Sequence, residues 1–164
     1  MVRKLAHIDQ LTGLANRHTL DRIIELEVAR AGRQGVPLSI AILEIDRFAE
    51  IQKAGGYAAS DGTLRRAAQI LAETVRLVDT IGRYGNEQFA LVAPGPDGLV
   101  VSERLVHGIA ALAPVEGIAI SVSAGVASFP LDGRTPEELL GVAEKAMLSA
   151  RQAGGDRVVA IPAE

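Results

Sequence analysis

Glu87 lies in the pentapeptide Gly85-Asn86-Glu87-Gln88-Phe89, between two short apolar runs. An acid, an amide and an aromatic follow a Gly-Asn step, and the local chemistry reads two ways. Gly-Asn between extended segments signals a two-residue hairpin, asparagine tolerates positive φ, and Phe89 is then a core residue. The same turn also holds a carboxylate where an active site could use it. A few residues upstream, Arg76 and Asp79 stand three apart. They suit a solvated ion pair at a helix end, where arginine complements the helix dipole. Glu44 and Asp46 close a third stretch, the apolar run 38–45, and Glu44 alone reads as a strand-end acid at a sheet rim.

The elements that must carry these residues alternate in hydrophobic period. Leu20, Ile23, Ile24 and Val28 recur at helical spacing, which predicts an amphipathic helix over 17–33. "LSIAILEI" predicts a buried strand over 38–45, and a short helix follows at 47–53, ended by Gly55-Gly56. Leu64, Ala67, Ala68, Leu71 and Val75 mark one face of a helix over 60–76. The hairpin then occupies 79–84 and 87–93, and a helix over 98–112 follows the loop "PGPDG". Ile118, Ile120, Val122, Ala124 and Val126 share the face of a period-2 strand. Thr135-Pro136-Glu137-Glu138 begins a helix that runs to Gly154-Gly155, and "DRVVAI" is the last strand. A hairpin mixed with helical crossovers predicts an α/β sandwich with a mixed sheet.

Composition narrows the function. The chain has 164 residues, which suits a single domain over 1–164. It has no cysteine, which excludes disulfides, thiolate metal sites and a cysteine nucleophile. The net charge is −3, against a protein built to coat nucleic acid. With two tyrosines, three phenylalanines and no tryptophan, it lacks a stacking platform for single strands, so no nucleic-acid polymer is expected as partner. No run has signal-peptide or membrane-spanning length, and a cytoplasmic location is expected.

Four separated stretches resemble the GGDEF domains of bacterial signalling proteins. "HIDQLTGLANR" (7–17) is similar to the entry motif DxLTGLxNR, and "LEIDRFAEIQKAGGYAASDGTL" (43–64) to LDIDxFKxINDxxGHxxGDxxL. "RYGNEQFALV" (83–92) stands where the family has RxGGDEFxxL or RxGGEEFxxL. "VAEKAMLSARQAGGDRVV" (142–159) resembles ADxALYxAKxxGRNRV, and "SAGVASFP" resembles SxGxAxxP. The order and spacing hold over about the whole chain.

The resemblance implies a nucleotide-cyclase or polymerase-palm fold, a central, mainly antiparallel sheet flanked by helices. It implies the chemistry of diguanylate cyclases, which join two GTP into cyclic di-GMP, each of two domains presenting one GTP. Such phosphoryl transfer needs positioned triphosphates and divalent metal, here magnesium if GTP is bound. By the same resemblance Glu44 and Glu87 are the catalytic acids, and Glu44, the Ile45 carbonyl and Glu87 are the metal ligands. Gln52 and Asp61 face guanine, with Asn86 and Arg151 also on the nucleotide. For Asp61 the alternative is a helix cap in "ASDGTL".

The departures converge on that pocket. Glu44 replaces aspartate and adds a methylene; Asn86 fills the place of a close-approach glycine; Gln88 removes a charge. Ala49 and Gly155 stand where the family has lysine and arginine. Arg76, Asp79 and Arg83 match the family's RxxD product-binding site and its neighbour. A guanidinium can fork onto a guanine edge or clamp a phosphate, and a carboxylate can accept from guanine N–H groups. The expectation is therefore an inactive, degenerate domain that binds cyclic di-GMP or regulates an attached domain. The alternatives are a weak diguanylate cyclase and a GTP-binding or dimerisation module, a homodimer, without turnover. Residues 1–8 are expected to end an upstream signalling helix. The chain is expected to be one domain of a longer protein with sensor or phosphodiesterase parts.

Overall fold

β1 (Leu38–Ile45) forms because eight apolar-rich residues can be covered on both faces, and it sits at the centre of the sheet. In this computed structural model, which describes residues 6–160, β1 pairs antiparallel with both β3 (Gln88–Pro94) and β4 (Val122–Phe129). β2 (Thr80–Arg83) flanks β3, and β5 (Arg157–Val159) runs parallel to β4, giving the order β2-β3-β1-β4-β5. The sheet is thus mainly antiparallel with one parallel edge, as expected.

Strand parity decides what each face meets. Ala41, Leu43 and Ile45 join Phe89, Leu91, Val122 and Val126 against α2 (Phe48–Thr74) and α3 (Gly98–Ala110). Leu38, Ile40 and Ile42 turn to the other face, with Leu20, Ile24, Leu139 and Met147 of α1 (Arg17–Gln34) and α4 (Pro136–Gln152). Glu44 continues the even-numbered series, so it points to the α4 side. α4 lies hard on the sheet because β4 offers a glycine there: a Cβ on Gly125 would meet the Ala143 carbonyl.

The helix ends follow their sequences. Asn16 caps α1 by accepting from the Thr19 N–H, and Thr135 caps α4 by accepting from the Glu138 N–H with Pro136 in the first turn. Among the described residues no helix is long and apolar enough to cross a membrane.

Several boundaries differ from the sequence reading. The helices expected over 47–53 and 60–76 do meet at Gly56, whose non-helical backbone (φ 70°, ψ −166°) puts a kink between them, so α2 is two helices joined end to end and the second starts a few residues earlier than expected. Asp61 therefore lies inside the second helix and is not a cap. The strand expected from Ile118 begins at Val122; Val115 and Ile118 close a small loop upstream. The last strand is only Arg157–Val159. In the hairpin, the Tyr84 N–H donates to the Gln88 carbonyl, leaving Gly85-Asn86-Glu87 as the turn. Asn86 is not among the residues with positive φ, so its left-handed tolerance is not used. Of the expected signalling helix at 1–8, residues 1–5 lie outside the described residues. His7 is in a turn and Ile8 bridges to Ala15.

Candidate functional site

A cleft of about 550 Å3 opens where β1, the signature turn, the start of α2 and the end of α4 meet. Glu44, Ile45, Glu87 and Arg151 all line it, so four of the predicted site residues come together. Gln52 and Asp61 lie on α2 away from its walls, and Asn86 lines a separate depression with Asp9, Arg17 and Arg83.

Glu44 and Gln88 are register partners across β1 and β3. The Gln88 amide Nε2 donates to Glu44 Oε1 at 3.1 Å, and Arg151 Nη1 donates to Glu44 Oε2 at 2.6 Å. Both carboxylate oxygens are thus engaged, and the Glu44 side chain is only 13% exposed. Gly85 makes room for this: a Cβ there would stand 2.7 Å from Gln88 Oε1.

Asp46, to which the sequence reading gave no role, is the cleft's other organised acid. It accepts from the Ser121 and Ser123 hydroxyls, each at 2.7 Å, and from the Asp156 N–H at 3.0 Å. It ties the end of β1 to the start of β4 and to the turn before β5. The alternation Ser121-Val122-Ser123 carried the signal, since period two puts two hydroxyls on one side. Gly155 belongs to the same knot. Its φ is +76°, and a Cβ would stand 2.8 Å from Asp46 Oδ2. Arg47, between Asp46 and α2, also takes positive φ (54°) and its side chain does not cap the helix.

The signature turn is bolted to the entry segment. Arg83 donates from Nη1 to both Asp9 oxygens at 3.2 Å and from Nη2 to the Asn86 carbonyl at 2.8 Å. Burial alone would raise the Asp9 carboxyl. The hydrogen bonds from the Thr12 hydroxyl and N–H, with Arg83 beside it, outweigh that and hold it below the usual carboxylate range. Arg17 stacks 3.8 Å over the Tyr84 ring and donates to the Tyr84 carbonyl at 2.7 Å. Burial pushes the Tyr84 phenol up, against the opposing effect of Arg17.

The third constellation lies between α2 and β2, at the far end of β3. Arg76 Nη2 donates to Asp79 Oδ1 at 2.8 Å and to the Pro94 carbonyl at 3.0 Å, while Nε faces both Asp79 oxygens. The Arg76 N–H also donates to Asp79 Oδ2 at 2.8 Å. The Asp79 side chain has no exposure, whereas that of Arg76 is 31% exposed. Asp79 holds the guanidinium here, and its hydrogen bonds raise the Arg76 pKa above its ordinary value. Among the described residues Nη1 has only a long contact, 3.4 Å, to Asp97, a residue no sequence signal identified. Leu77, between the pair, is fully exposed.

Residues 6–157 match the family model described as the diguanylate cyclase, GGDEF domain. The chain belongs to the GGDEF family. It is 35% identical over 159 residues to the diguanylate cyclase DosC of Escherichia coli, covering 92% of this chain and 34% of that protein. It is also 35% identical over 164 residues to the response regulator PleD of Caulobacter vibrioides, covering 95% of this chain and 36% of PleD. The chain thus spans about a third of the length of these curated relatives. Among solved structures, the GGDEF domain of DgcB from Caulobacter crescentus, in complex with c-di-GMP, superposes with a TM-score of 0.89 at 26% identity. That match covers 98% of this chain and 96% of the other. The cyclase SiaD from Pseudomonas aeruginosa, in complex with its activator SiaC, gives 0.88 at 28% identity, over 97% and 63%.

Proposed function

We propose that this GGDEF domain is a degenerate, catalytically inactive member of the cyclic di-GMP signalling family that binds cyclic di-GMP through Arg76. Asp79 positions the guanidinium, and the bound ligand regulates a domain attached in the full-length protein. The observation that carries the reading is the Arg76–Asp79 pair. A buried carboxylate holds a partly exposed guanidinium in a fixed orientation, with Nη1 nearly free to donate to a phosphate or a guanine edge. Such fixed forks lose little entropy when they bind. The DgcB domain with c-di-GMP bound makes a cyclic dinucleotide a natural ligand for this fold.

A second reading, a weak diguanylate cyclase, has one observation in its favour: Glu44, Ile45, Glu87 and Arg151 share one cleft. Titration with cyclic di-GMP and with GTP–magnesium separates the two. Cyclic di-GMP binding lost in Arg76→Ala supports the first. GTP binding lost in Glu87→Ala supports the second or a GTP-binding module without turnover, and a turnover assay divides those. No binding of either ligand removes both nucleotide readings and leaves a dimerisation or interaction module.

A further inference from the structure

The fold family implies a divalent cation between Glu44, the Ile45 carbonyl and Glu87, and the residues present can be tested for it. A small hard cation needs about six oxygen ligands in a tight octahedron, with carboxylates free to turn toward it. Of the four carboxylates that line the cleft, two are spent. Glu44 has Gln88 on one oxygen and Arg151 on the other. Asp46 has two hydroxyls and a backbone N–H. Glu87 and Glu50 make no side-chain hydrogen bond or ion pair among the described residues, which hold no cluster of three potential metal-ligating side chains.

The cause lies in one position of the signature. Residues 44 and 88 are directly paired across the strands. At such a pair the Cβ atoms stand about 4.5–5.5 Å apart, and like charges directly opposite destabilise the sheet. A glutamate at 88 would set a second carboxylate against Glu44, and a cation would be needed to relieve the pair. Glutamine reverses that demand. Its amide donates where a carboxylate would repel, and Arg151 then completes the neutralisation from the end of α4. Arg151 is tethered, so it competes at a fixed high local concentration against a cation that must come from solution and shed its water.

We infer that Gln88 and Arg151 together stand in for the divalent cation in this cleft, so that Glu44 takes no metal. Arg151 here is a structural counter-ion that joins α4 to β1. The inference concerns the cleft alone and is independent of ligand binding at Arg76.

Manganese(II) binding, read by the electron paramagnetic resonance of the free ion, tests it without reference to turnover. The unmodified domain should show no one-to-one site at millimolar manganese. The double variant Gln88→Glu with Arg151→Gln restores the opposed carboxylates and removes the tethered cation. It should bind one manganese at least about tenfold more tightly than the unmodified domain. Adding Glu44→Gln to it should abolish that site. Circular dichroism confirms that each variant is folded. One manganese bound by the unmodified domain and lost in Glu44→Gln would overturn the inference. So would a folded double variant that gains no site.

Discussion

The guanidinium of Arg76 is held by a carboxylate that solvent does not reach, that of Asp79, while its own Nη1 faces outward with one long contact to Asp97. This asymmetry separates two roles that the motif alone merges. Removing Asp79 should therefore affect stability as well as binding. Asp79→Ala leaves the Arg76 N–H without its acceptor and the guanidinium without its anchor. A loss of about 1–3 kcal/mol is expected, measured as a shift of the urea midpoint at unchanged slope. Asp97→Ala should leave stability within about 0.5 kcal/mol, because that contact is long and Asp97 is exposed.

Gly155 gives a test of the cleft's architecture. Arginine stands at this position in the family pattern, yet Gly155→Arg should not repair the domain. The backbone is left-handed there and the Cβ would press on Asp46. A cost of about 1–3 kcal/mol from the backbone alone is expected, and the melting temperature should fall accordingly. Asp46→Ala should also destabilise, since the Ser121 and Ser123 hydroxyls and the Asp156 N–H then lose their common acceptor. If Gly155→Arg melted at the unmodified temperature, the knot at Asp46 would be looser than described.

Asp9 links the entry segment to the signature turn and sets a pH dependence. Its folded pKa is held down, so its stabilising contribution is present above the unfolded carboxylate pKa of about 3.9. It is lost as the pH falls below that and through the lowered folded value. Asp9→Asn should flatten this part of the acid limb in denaturation curves from pH 5 downward, and Arg83→Ala should act in the same direction. An acid limb of the same slope in both variants would remove Asp9 from the acid response.

Turnover should be absent or vestigial. Each lost transition-state contact costs about 2–4 kcal/mol, so two or three together remove several powers of ten in rate. The departures at Glu44, Ala49, Gln88 and Gly155 line one cleft or contact the residues that do. Incubation with GTP and magnesium should yield no cyclic di-GMP at ordinary enzymatic rates.

Most of the elements and the buried faces of the helices were legible because period-two and helical patterns report burial directly, as Leu20, Ile24 and Val28 on one helix face show. So was the break at Gly55-Gly56, where the backbone leaves the helix. The boundary at Ile118 was not, because an apolar alternation can serve a loop that closes on itself. In the site, motif spacing identified Glu44, Glu87, Arg76 and Asp79. It could not show which groups had already found partners. The capture of Glu44 by Arg151 joins residues 107 positions apart, and Asp79 turned inward only because the Arg76 N–H and guanidinium both lay within reach.

The most direct test of the account is calorimetric titration of cyclic di-GMP into the domain and into Arg76→Lys, which keeps the charge but loses the fork. Saturable binding to the unmodified domain, weakened at least about tenfold in a folded Arg76→Lys variant, is the predicted result. Equal affinity in the two proteins, or no binding to the unmodified domain, would contradict it.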